Sequence, residues 1–290
     1  MKNNAQSMET VAAGDSFFNY CLWEYPPLTP PLGKFKAVNL LYHSFEVGQA
    51  HDNAFRIVQL IRESFGVGNT VWGVKLLDGS LKWEFYIYDY RRRMRERSIA
   101  RFMNVIAPLA SCSVPVNDNP HYFMFSVDID NELLSGARDL DELHMYVGNV
   151  GSTVSSGISY SVTKAGNRLE NLYYFFKPSE HRDDIIGKIC CSGFLNASRI
   201  ELDSILWPEL AECSTICLAN KQHNDCIYFS GITVDQLLFA MTRLKYPPEI
   251  VSFIRENSAN LDHLRYDFGI DYTLENGRMA AVKSGYYGTF

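Results

Sequence analysis

The chain has 290 residues, 47% hydrophobic and 21% charged, with a formal net charge of -6. That composition supplies ample material for a globular core, and the acidic balance argues against the basic surface that nucleic-acid binding demands. No apolar run reaches membrane-spanning length, and the opening Met1-Lys2-Asn3-Asn4 lacks the apolar stretch of a secretory signal, so a cytoplasmic protein with no membrane partner is expected.

Seven cysteines form no CxxC pair, and seven scattered histidines form no HExxH-like pair. Reduced, buried thiols are expected rather than disulfides or a protein-ligated metal. Residues 1–33 are expected to be a weakly ordered segment ending in the proline-rich Tyr25–Leu32, and residues 34–290 a single domain. Prolines in that density favour an extended path over the surface.

From about Leu40 to Phe65 the pattern turns helical, with Ala54, Val58, Ile61 and Phe65 on one buried stripe. The first hairpin follows, turned by Asp78-Gly79, a pair that tolerates the positive φ of a tight turn. Its second strand puts Trp83, Phe85 and Ile87 on one face and Lys82, Glu84, Tyr86, Tyr88 and Tyr90 on the other. A tyrosine-rich polar face suits a wet, enclosed cavity better than open solvent.

A helix is expected over Arg91–Ala110, where the Arg91-Arg92-Arg93 run is either a solvated helix start or a phosphate patch. Strands Tyr122–Asp130 and Leu143–Val150 come next. Met124, Ser126 and Asp128 share one face of the first, His144 and Tyr146 one face of the second. A third hairpin joins Gly157–Thr163 to Leu169–Lys177, and a helix follows around Arg182–Ser192. The fourth joins Ser214–Lys221 to Cys226–Gly231 and leads into Thr233-x-x-Gln236, a capping box. Pro247-Pro248 must interrupt the helix that this box opens. The last hairpin, Arg265–Thr273 with Met279–Thr289, turns at Asn276-Gly277.

The expected fold is therefore α+β, with ten strands in five antiparallel hairpins. Ten such strands must expose edges or close. Closure with helices outside gives a barrel whose polar faces line a solvent-accessible lumen. The alternative is an open α+β sheet with solvated tyrosines.

This order of segments resembles the aromatic prenyltransferases of the ABBA, or prenyltransferase-barrel, type, and within them the cyanobactin peptide prenyltransferases. The resemblance is carried by Tyr25–Leu32, by Phe125-Ser126-Val127-Asp128-Ile129-Asp130-Asn131-Glu132-Leu133-Leu134 and by Gly157-Ile158-Ser159 through Lys177-Pro178. The passage from Asn220 to Leu237 and the closing Val282-Lys283-Ser284-Gly285-Tyr286-Tyr287 add to it. It implies a ten-stranded PT barrel that moves a dimethylallyl or geranyl group from its diphosphate, with Mg²⁺, onto a side chain of a ribosomal, cyclic peptide, for which Tyr and Trp are candidates, and Arg through the acids described below. Such a site must stabilise the leaving diphosphate, shield an allyl cation with aromatic faces and remove a proton. Lys75, Lys82, Arg265, Lys283 and Tyr287 are the donor-binding candidates, and Tyr86, Tyr88, Tyr173 and Tyr228 the shield. Glu84 is the candidate base.

The chain departs from that pattern. Asn171, Tyr173, Phe175, Ser230 and Ile232 stand where the family tends to place basic or polar residues, and the family's usual base aligns with Val71. Acids enter instead: Asp128, Asp267 and Asp271, with His144 beside them, are acceptor-binding candidates and would suit a guanidinium. The second function expected on these residues is a catalytically silent barrel that binds a peptide or small hydrophobic ligand.

Overall fold

The computed structural model describes residues 8–90, 95–115, 119–149, 155–193 and 200–290. Ten antiparallel strands close into one barrel, each beside its neighbours in sequence: β1 (Thr70–Leu77), β2 (Ser80–Tyr88), β3 (Met124–Ile129), β4 (Glu142–Asn149), β5 (Ser155–Thr163), β6 (Gly166–Phe176), β7 (Thr215–Asn220), β8 (Asp225–Ile232), β9 (Tyr266–Glu275) and β10 (Arg278–Thr289). Closure comes from β1 pairing with β10, from Val71 opposite Thr289 to Leu77 opposite Lys283. The open α+β alternative is thereby excluded. The five expected hairpins are present, and Asp78, Gly79, Asn276 and Gly277 all take the positive φ that their turns require.

Helices coat the outside: α1 (Val38–Val47), α2 (Asn53–Phe65), α3 (Ile99–Ile106), α4 (Asn131–Leu134), α5 (Arg182–Cys190), α6 (Leu202–Ile205), α7 (Val234–Arg243), α8 (Pro248–Glu256) and α9 (Ser258–Leu261). Their apolar faces meet the outward residues of the strands. Trp83, Phe85 and Ile87 from β2 and Phe125, Val127 and Ile129 from β3 join Phe45, Ile57, Ile61 and Phe102 in one buried core. Each such side chain contributes about 1.5–3 kcal/mol, so the period-two alternation is locked: a one-residue slip would turn every aromatic of the lumen into the core.

Two helical expectations are corrected. The Leu40–Phe65 pattern is two helices, because the chain turns at Gly48, where a Cβ would sit 2.9 Å from the Trp83 ring, and Gln49 adopts a φ of +49°. The helix expected from Arg91 begins only at Ile99. Ser98 caps it by accepting from the Arg101 N–H, while Arg95 turns away over the Tyr122 ring at 3.9 Å. Arg91, Arg92 and Arg93 lie outside the described residues. The Thr233/Gln236 capping box is present at α7, and α8 restarts at Pro248.

Residues 17–25 fold back across one end of the barrel. Phe17 and Tyr25 are joined through the Tyr25 N–H, and the Asn19 carboxamide accepts from the Cys21 and Trp23 N–H groups. This loop roofs the lumen. At the other end β3 and β4 pair only from Met124/Tyr146 to Ser126/His144 and then part, which opens a second mouth.

Candidate functional site

Above its midline the lumen is a chamber of about 290 Å³, lined by Val71, Tyr86, Tyr88, Met124, Tyr146, Ile158, Tyr173, Cys217, Tyr228 and Tyr287 among others. No Lys, Arg, Asp or Glu is among its described lining residues. The second strand of every hairpin contributes one tyrosine to a single level: Tyr86, Tyr146, Tyr173, Tyr228 and Tyr287. Their ring centroids follow one another at 6.0 Å (Tyr173–Tyr146), 6.2 Å (Tyr146–Tyr86), 6.0 Å (Tyr86–Tyr287) and 6.1 Å (Tyr287–Tyr228). Tyr20, from the roof, stacks over Tyr228 at 6.1 Å.

Alternate strands feed a layer in a tilted barrel, and here the first strands answer with small residues. Tyr287 lies opposite Gly73, Tyr173 opposite Ala219 and Tyr228 opposite Gly269. The glycines let rings lie against the wall. A Cβ on Gly269 would meet the Tyr228 ring at 2.6 Å, and one on Gly73 the Tyr287 ring at 2.8 Å. Gly269→Ala is therefore expected to push Tyr228 into the chamber and to cost about 1–3 kcal/mol in urea denaturation.

One step below the tyrosines the lumen is ionic. Lys75 is 2.6 Å from both Glu84 and Asp128. Lys221 and Lys283 hold Asp271 at 2.8 and 3.0 Å, and His144 Nδ1 is 2.8 Å from Glu170. Burial opposes the charge on Lys75, but Asp128 and Glu84 outweigh it and hold the ammonium well above the ordinary lysine range. Lys221 is raised in the same way, by Asp271. Burial opposes ionised Asp271 too, and Lys221 and Lys283 nonetheless hold it well below the usual carboxylate range. The His144 ring is likewise raised against its burial by the bond to Glu170. The lower mouth, about 270 Å³, is bordered by Lys75, Lys82, Asp128, Asp130, Arg138, Glu142, His144 and Lys283.

Most residues expected in the lumen lie there, though in different storeys. Tyr86, Tyr88, Tyr173, Tyr228 and Tyr287 line the chamber. Lys75, Lys82, Asp128, His144 and Lys283 face the lower mouth, where Lys82 lies 3.9 Å from Asp130. Glu84 sits between the two storeys. Its carboxylate accepts from Tyr86 Oη at 2.6 Å and Ser126 Oγ at 2.7 Å, beside its ion pair with Lys75.

Arg265 is the correction. It precedes β9, and its guanidinium donates to the Gly231 carbonyl at 2.8 Å, outside both chambers in a groove under the 11–18 segment. The alternation that placed it in the lumen stops where the strand does.

Asp267 is inward but inaccessible. It anchors the roof by accepting from the Tyr20 N–H at 2.6 Å, and also accepts from Ser230 Oγ and from the Gly231 N–H. Of the cysteines, Cys213, Cys217 and Cys226 are buried free thiols, while Cys191 is exposed.

No model of a known protein family matches the chain, and no curated protein does. Among solved structures, the apo form of the prenyltransferase PriB aligns over 87% of this chain and 94% of its own. Identity is 6% and the TM-score 0.49.

Four contributors escaped the sequence reading. Tyr146 was placed on a polar face but not in the shield, although it stands two residues beyond His144 as Tyr86 does beyond Glu84. Lys221 continues the Cys217, Ala219 alternation past the end of β7. Glu170 enters the lumen through a bulge between Ser159 and Tyr160, which re-aims one side chain out of phase. Tyr20 belongs to a segment with no periodicity at all. Among the described residues no group of three or more His, Cys, Asp or Glu is arranged to hold a metal ion, and no helix is long and apolar enough to cross a membrane.

Proposed function

We propose that the barrel transfers a dimethylallyl or geranyl group from its diphosphate to a Tyr, Trp or Arg side chain of a ribosomal, cyclic peptide. The observation that carries this reading is the belt of five tyrosines set directly above an ionic floor. The ordered resemblance of sequence segments supports it.

In this scheme the isoprenyl chain lies in the chamber and the diphosphate reaches down toward Lys75, Lys221 and Lys283. The allylic C–O bond breaks, pyrophosphate leaves, and the belt shields the allyl cation from water. The acceptor atom bonds to that carbon, and its proton passes through Tyr86 to Glu84, which Tyr86 already contacts at 2.6 Å. The floor carboxylates near Lys75 and Lys221 are engaged in ion pairs, and they do not fit a resident Mg²⁺. The metal would arrive with the diphosphate.

The second reading, a silent barrel that binds an apolar ligand, is favoured by the pairing of every described lumen lysine with a carboxylate. Incubation of the protein with dimethylallyl, geranyl and farnesyl diphosphates and Mg²⁺ separates the two. A raised melting temperature with a donor, and isoprene-unit mass increments on a peptide mixture, are expected for the transferase. A flat response to all three donors leaves the ligand-binding barrel.

A further inference from the structure

We infer that the tyrosine belt is also a receptor for a stable organic cation, a quaternary ammonium group on an aryl or short alkyl body, bound without any transfer reaction. Five rings, successive in four contacts at centroid spacings of 6.0 to 6.2 Å, line one level of the lumen, and Tyr20 stacks over Tyr228 from above. An aromatic cage of that kind attracts an alkylated cation through its π faces.

Three features select this chemistry. First, three of the five belt hydroxyls are engaged with the protein: Tyr86 donates to Glu84, Tyr173 Oη meets the Asn171 amide at 2.9 Å, and Tyr146 Oη meets Ser126 Oγ at 3.2 Å. A primary ammonium gives up the hydration of three N–H groups on entering this apolar wall, whereas a quaternary one has no N–H to satisfy. Second, burial drives the hydroxyls of Tyr86, Tyr146, Tyr228 and Tyr287 well above their ordinary pKa, so the rings stay neutral and no phenolate is required.

Third, a cation in the chamber meets no positive side chain there, because no Lys or Arg is among its described lining residues, and the lysines one step below are each paired with a carboxylate. Lys75 meets Glu84 and Asp128, Lys221 and Lys283 share Asp271, and His144 meets Glu170. A chamber of about 290 Å³ holds a small ligand.

Titration calorimetry of the full chain with benzyltrimethylammonium, benzylammonium and the neutral isostere neopentylbenzene tests this directly. The quaternary ion is expected to bind at least tenfold more tightly than either comparison compound. In Tyr228→Phe the preference stays, and in Tyr228→Leu it falls at least fivefold. Equal or tighter binding of neopentylbenzene, or no binding of the quaternary ion to the wild-type chain, overturns the inference. That wild-type comparison decides the matter even if Tyr228→Leu fails to fold. No diphosphate is present, so product formation with donors but no ammonium preference would remove this inference and leave the transferase standing. The reverse pair of results would do the opposite.

Discussion

Replacing Lys75 with methionine is expected to cost about 3–5 kcal/mol of folding stability, because it leaves a buried carboxylate without its counter-charge. Glu84 carries most of that penalty: its side chain is 4% exposed, against 54% for Asp128, which can turn to water at the lower mouth. Tyr86 and Ser126 would still donate to Glu84, but two neutral hydrogen bonds do not balance a charge in a dry layer. A second substitution should restore much of the loss. In Lys75→Met/Glu84→Gln the orphaned charge is gone, and the double variant is expected to be more stable than the single one. Urea denaturation of the two proteins checks both statements. A single-variant loss under about 1 kcal/mol would show that water already reaches Glu84 and that the layer is wet.

The barrel and its tyrosine face were legible because both are periodic. Apolar and polar residues alternate along β2, β3 and β8, and turn pairs such as Asp78-Gly79 and Asn276-Gly277 fix where each strand reverses. Burial then enforces the alternation, so the inward set of Tyr86, Tyr88, Tyr173, Tyr228 and Tyr287 is written in the sequence. The ion pairs were not legible. Lys75 meets Asp128 across the intervening strand β2, and Lys283 meets Lys221 on a common Asp271, contacts that exist only once the sheet has closed and its register is set. Single-residue exceptions to the period hid others. The bulge that admits Glu170 shifts the phase of β6, and the end of β9 releases Arg265 from it.

The roof was illegible for a different reason. Residues 17–25 have no repeating pattern, and their placement depends on partners far along the chain: Asp267 for the Tyr20 N–H, Tyr88 for the Tyr20 carbonyl and Arg265 for Tyr25. An aperiodic segment held by hydrogen bonds to a preformed surface carries no local signal of its fold. Its consequence for the site is nonetheless direct, since Tyr20, Cys21 and Trp23 complete the chamber wall. The lumen thus divides into an uncharged aromatic storey under a roof and a charge-balanced storey that opens to water.

Asp267, the carboxylate beneath that roof, is expected to make the protein less stable as pH rises from about 4 to 8. Burial pushes it up to about 7, against the hydrogen bonds from Ser230, Tyr20 and Gly231. In the unfolded chain an aspartate loses its proton near its ordinary value of 3.8. Between those two values the folded state therefore binds more protons than the unfolded one, so stability falls with rising pH, and the fall levels off above pH 7. A shift of that size corresponds to roughly 3–5 kcal/mol.

Other groups titrate in the same window. His144, raised by Glu170, also loses stability as pH rises, whereas His263, lowered to about 4 by burial, gains it. The contribution of Asp267 must therefore be read as a difference. Unfolding free energies of wild type and Asp267→Asn, measured at several pH values, should converge in acid and separate above neutrality, with the variant progressively the more stable of the two. A difference that stays constant from pH 4 to 8 would mean that Asp267 is ionised throughout, and that its three hydrogen bonds outweigh its burial.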